Sequence, residues 1–178
     1  MTLKARLSAA LAVPFIIATA SVWSQTHDHG HRMIAPGDLK WIDVPSLPAG
    51  AKIAVIEGPM NEAVPFTIRL KFPANYRIPP HSHPAVERVT VLSGTFHLGA
   101  GDRFDPAQAQ AIPAGGMVVM PAGMRHYAYT SGETVVQLHG TGPWGITYVN
   151  PADDPRNQCR AGAIGAVRSR TSIVSPSS

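Results

Sequence analysis

Apolar residues in this chain recur at every second position in short runs. Phe66, Ile68 and Leu70 alternate with Thr67, Arg69 and Lys71. Side chains two apart in a strand share one face, so this period marks half-buried β-strands and puts Phe66, Ile68 and Leu70 in the core. Runs of similar character predict strands at 51–57, 66–72, 86–92, 95–98, 117–120, 126–130, 134–139 and 146–149. No long stretch sustains the 3.6-residue apolar period of an amphipathic helix. Over 134–139 two faces compete. Either Val136 and Leu138 fill the core, the preferred reading, or Val135, Gln137 and His139 turn inward.

Composition sharpens this to an all-β barrel or sandwich. Seventeen prolines and sixteen glycines punctuate the apolar runs of a 178-residue chain. That length fits one domain, and no internal repeat divides it.

Chemistry concentrates in the segment His81-Ser-His83-Pro-Ala-Val-Glu87 and in the later His126. If the segment is extended, His81 and His83 aim at one point. Pro79, Pro80 and Pro84 favour extended backbone there. Glu87 keeps the odd-numbered parity of the two histidines and reaches the same interior if the chain bends near Pro84. Pro121-Ala-Gly123 reads as a turn that delivers His126 at the start of a strand. Three imidazoles and a carboxylate make a mixed donor set for one divalent transition metal: Fe, Mn, Ni, Co or Zn.

These residues resemble the cupin superfamily. Its first motif, G-x5-H-x-H-x3,4-E-x6-G, falls on His81, His83, Glu87 and Gly94, with Asn75 in place of the opening glycine. Its second, G-x5-P-x-G-x2-H-x3-N, falls on Gly115, Pro121, Gly123 and His126, with Thr130 in place of the closing asparagine. The likeness covers roughly residues 65–150. It implies a single jelly-roll barrel, a double-stranded β-helix, at 40–152. It also implies His81, His83, Glu87 and His126 as metal ligands. Cupins include dioxygenases, decarboxylases, isomerases and lyases as well as binding proteins without turnover, so the fold alone selects no reaction. The expectation is a metal-dependent dioxygenase acting on a small oxygenated organic compound, with a non-catalytic metal- or ligand-binding cupin as the alternative. Gln137, His139 and His97 are candidates for positions around the ligands or against substrate. Trp144 is expected in the core or at the barrel mouth. Tyr127 and Tyr129 flank the inward Ala128 and are expected between the sheets or at a contact between copies.

The ends carry separate signals. Lys4 and Arg6 precede an apolar stretch from Leu7 to Ala20, too short for a good membrane span, followed by small residues. Residues 1–24 therefore read as a signal peptide, and the mature protein as periplasmic or secreted without stable membrane association. Residues 25–39 form a histidine-containing flexible segment. In it, His27, His29 and His31 offer casual metal affinity or, after cleavage at Ser24, a terminal copper or nickel site. Residues 153–178 read as a disordered basic tail. The net charge of +4 comes from the two ends. Residues 25–155 hold 9 basic and 11 acidic side chains, so the body carries no charge suited to nucleic acid. The lone cysteine, Cys159, excludes an internal disulfide. A small-molecule ligand is expected, and the cupin resemblance implies a second copy of the chain as partner, with the apolar strand at 51–56 as the candidate edge.

Overall fold

The computed structural model describes residues 32–157, so the signal peptide, His27, His29, His31 and Cys159 lie outside the described residues. Eleven strands follow one another: β1 (Ile42–Asp43), β2 (Lys52–Glu57), β3 (Pro65–Phe72), β4 (Arg77–Ser82), β5 (Glu87–Ser93), β6 (Thr95–Ala100), β7 (Gln110–Pro113), β8 (Met117–Met120), β9 (His126–Thr130), β10 (Thr134–Thr141) and β11 (Thr147–Tyr148). They form a six-stranded sheet in the order β1-β2-β3-β10-β5-β8 and a five-stranded sheet in the order β11-β4-β9-β6-β7. All the pairings are antiparallel.

From β3 to β11 the chain changes sheet at every step except β6 to β7. This winding is a jelly roll, as expected. Gly94 makes one crossing. It sits at φ 76°, and a Cβ there would lie 2.5 Å from the Glu133 carbonyl oxygen, so only glycine fits the passage from β5 to β6.

The two-residue period holds where it was clearest. Phe66, Ile68 and Phe72 on β3 meet Val89 and Val91 on β5 and Val136 and Leu138 on β10 in one core, with Ile78, Phe96 and Ala128 from the other sheet. Val136 and Leu138 therefore fill the core. Gln137 turns outward and accepts a hydrogen bond from Arg69 Nε at 3.1 Å. Tyr127 departs from expectation. It is buried on the outer side of its sheet, against Phe104, and its hydroxyl donates to the Asp105 carbonyl. The loop at 101–109 covers it, a long-range contact that strand parity does not report.

Both departures from the cupin motifs meet at one turn. Asn75 adopts φ 59°, the left-handed conformation a glycine would take. Thr130 closes the same turn. Its hydroxyl donates to the Pro73 carbonyl at 2.8 Å and accepts from the Tyr76 amide at 3.3 Å.

The strand at 51–56 is an edge in part. β1 pairs with it only at Lys52 and Ile53, and Val55 beyond them is half exposed.

Candidate metal centre

The site begins with a β-bulge. β4 pairs with β9 so that Ile78 faces Ala128 and His81 faces His126, with two residues between them on one strand against one on the other. The extra residue falls at Pro79-Pro80, which have no amide hydrogen to give the ladder. It changes the parity of β4. Ile78 and His81 both turn inward, and His81 comes directly beside His126. His83 follows two residues later and shares that face. Its carbonyl accepts from the Gly123 amide at 2.8 Å, which ties the first motif to the turn that precedes His126. Glu87 opens β5 in the opposite sheet, beside Met120 of β8.

All four side chains are buried. One ring nitrogen from each of His81, His83 and His126 lies within 4.8 Å of the others. Each Nδ1 is held by a backbone carbonyl: His81 by Pro79 at 2.7 Å, His83 by Gly145 at 2.6 Å and His126 by Met124 at 3.0 Å. A carbonyl only accepts, so each Nδ1 carries the hydrogen and each Nε2 presents a lone pair. Glu87 Oε2 lies 3.4 Å from His83 Nε2 and 3.3 Å from His126 Nε2.

Burial holds the His81 imidazole well below its ordinary pKa, and the neighbouring His126 and His83 add to the effect. Burial also lowers His83, against an opposing pull from Glu87. His83 is therefore neutral near pH 7, and its contact with Glu87 sets one lone pair against another. Glu87 Oε2 is buried with no hydrogen-bond partner among the described residues. An orphaned carboxylate oxygen beside inward-facing imidazole lone pairs is the arrangement a divalent cation satisfies. The residues fit such an ion. His81, His83 and His126 form the compatible triad, and Glu87 stands next to two of them.

A cavity of about 410 Å³ leads to this cluster. His81, His83 and Glu87 line it, and its walls are mainly aliphatic, among them Ile53, Ile68, Leu138 and Ile146. Trp144 forms part of the wall, as expected for a residue at the barrel mouth. It stacks on His83 with ring centroids 4.2 Å apart and packs on Phe66. The stretch 44–47 forms another part. Tyr148 secures it by donating to the Ser46 carbonyl at 2.8 Å.

The structure leaves the remaining candidates away from the imidazoles. Gln137 and His139 stand on the outer face of β10, opposite Thr90 and Arg88 of β5. His97 stacks on Tyr129, 4.3 Å between centroids, on the outer face of the other sheet. Two residues join the site without having been singled out for it. Gly145 orients His83, and Arg156 reaches the cavity from a segment read as disordered tail. A carbonyl contact and a chain reversal leave no mark in sequence spacing.

Residues 29–145 match the family model described as the ChrR cupin-like domain. The chain belongs to that family. Two rice proteins are similar to this cupin over shorter stretches. Germin-like protein 5-1 of Oryza sativa subsp. japonica is 31% identical over 90 residues, half of this chain and 40% of the rice protein. Germin-like protein 9-3 of the same plant is 32% identical over 73 residues, 40% of this chain and 34% of its own length. The cupin thus spans well under half the length of these curated relatives. Among solved structures, the polyketide cyclase RemF from Streptomyces resistomycificus superposes with a TM-score of 0.59 at 17% identity, over 73% of this chain and 93% of that one. A candidate acetylacetone dioxygenase from Methylibium petroleiphilum gives 0.55 at 16% identity, over 70% and 85%. Likenesses this distant establish a shared fold.

Proposed function

We propose that this protein is an exported metal-dependent cupin enzyme, a dioxygenase acting on a small oxygenated organic compound. The observation that carries the reading is the cavity of about 410 Å³ with aliphatic walls that opens onto His81, His83 and Glu87. A purely structural metal site is closed by its ligands, whereas a catalytic one keeps an approach. Its size lies within the range of small-molecule sites.

In this reading His81, His83, His126 and Glu87 hold one divalent ion. When bound, it supplies Lewis acidity and, if redox-active, the electrons that oxygen chemistry needs. The chain does the rest. The three backbone carbonyls fix the imidazoles in one tautomer and orientation. Trp144 and the aliphatic walls exclude water and receive the apolar part of a substrate. Glu87 balances the charge of the ion.

One observation favours a binding protein without turnover. Apart from His81, His83 and Glu87, the ionisable side chains lining the cavity are Asp43 and Arg156, each engaged in an ion pair. No unengaged acid or base stands among them. The test is metal analysis of protein purified from its own compartment, followed by oxygen-uptake screening with catechols, diketones and hydroxyketones. Uptake with one class, lost in His81→Ala, supports the enzyme. Bound metal without uptake across all three classes transfers the assignment to the binding protein. Mass spectrometry of the mature N-terminus checks export, and light scattering checks for a homodimer.

A further inference from the structure

We infer that Arg156 is the anion-recognising residue of the cavity, and that the ligand is an amphiphile with a carboxylate or other oxyanion in addition to its metal-binding group. This rests on the reading of the cavity as the site where a small molecule meets the metal centre.

Arg156 lines the cavity together with the imidazoles, and its guanidinium is held at three points. Nε donates to Asp154 Oδ1 at 2.7 Å, Nη2 donates to Asp154 Oδ2 at 2.7 Å, and Nη2 also donates to the Ile146 carbonyl at 3.1 Å. A fork–fork pair of this kind fixes the plane of the guanidinium. Among the described residues, Nη1 has no hydrogen-bond partner, so its donors remain for a ligand.

Arg156 is exposed, its side chain 46% accessible, but its anchoring ties it to the site. The carbonyl that holds Arg156 belongs to Ile146, and the carbonyl that orients His83 belongs to the preceding residue, Gly145. One peptide step thus sets the relative placement of the cation and a candidate metal ligand. The same wall includes the apolar Trp144 and Ile146. The other ionisable residue in the wall, Asp43, is paired with Lys52 Nζ at 2.7 Å, as Arg156 is with Asp154. The lining therefore combines coordinating groups, aliphatic surface and a guanidinium. A molecule with a metal-binding oxygen, a short hydrocarbon body and a second, oxyanionic group matches that combination.

The test uses the full chain loaded with cobalt(II), whose visible spectrum reports on coordination. The probes are the monohydroxamates of succinic to suberic acid and the methyl esters of their free carboxyl ends. The hydroxamate takes the open coordination positions, and the other end is charged or neutral. At the best chain length, the carboxylate form is expected to bind about tenfold or more tightly than its ester. Arg156→Gln is expected to abolish that preference while leaving cobalt content and ester affinity unchanged, and Arg156→Lys to restore it in part. Equal binding of both forms at all chain lengths, or an undiminished preference in Arg156→Gln, overturns the anion seat alone. Failure of every probe to perturb the cobalt spectrum overturns the underlying reading of the cavity, and this inference with it.

Discussion

Trp144 lies nearly flat on the His83 imidazole, with ring planes 12° apart. His83 follows the end of β4, so the strand itself does not finish the task of aiming it. The indole on one side and the Gly145 carbonyl on Nδ1 do so together. Trp144→Ala leaves the donor set intact and removes one of the two restraints. Metal affinity should fall roughly three- to tenfold, in line with the energy of one aromatic pair. Trp144→Phe should retain most of it. Competition against a chromophoric chelator measures both.

The donor set predicts a ranking. His81→Ala and His126→Ala should each strip most of the metal, and Glu87→Gln should weaken binding less or alter reactivity. Loss of metal should also lower the thermal midpoint, because binding to the folded chain alone is stabilising. Full metal content in His81→Ala/His83→Ala, by elemental analysis, would reject the centre.

Stability of the metal-free protein should depend on pH with a definite sign. Burial lowers the pKa of His81 and His83 in the fold, while the unfolded chain keeps ordinary values near ~6.5. Below that pH the unfolded state takes up protons that the fold refuses. Stability is therefore present above about 6.5 and is lost as the pH falls toward the lowered folded values. Urea midpoints of the chelated protein at pH 7.5 and 5.5 test this. An unchanged or higher midpoint at the lower pH would contradict it.

Thr130 is 2% exposed, and its hydroxyl serves both the Pro73 carbonyl and the Tyr76 amide. Thr130→Val keeps the shape and strands both groups. A cost of about 1–3 kcal/mol follows. It should show as a lower denaturant midpoint without a change in metal content.

Much of this molecule was legible in its sequence because two periods agreed. The alternation in 66–72 gave β3 its inward face, and the spacing of His81, His83 and His126 marked the triad compatible with a metal ion. What escaped has physical reasons. β4 was not among the predicted strands because no apolar alternation marks 77–82, although Pro79 and Pro80 favour extended backbone. They lie within the strand at a register shift. β7 is a four-residue edge with a single core-facing residue, Ile112, too short for an alternation to mark it. His97, Gln137 and His139 drew attention through side-chain chemistry, but the face a residue takes is set by its neighbours across the sheet. Arg156 looked like part of a solvated tail, because no local pattern reveals that a chain turns back to bond a carbonyl ten residues earlier.

The bulge at Pro79-Pro80 acts as a phase shifter. A strand counts in twos, and Ile78 and His81 are an odd distance apart, yet both face inward. Pairing Pro79 and Pro80 as an ordinary ladder, with no residue lost, would restore an uninterrupted count and put His81 on the other face. The first half of the site would then rotate to solvent while the second half stayed in place. Two residues with no side-chain chemistry of their own thus keep the two motifs in step. A chain of this type with both motifs and its residue count intact, but with no bulge before His81, should fold and yet hold no ion.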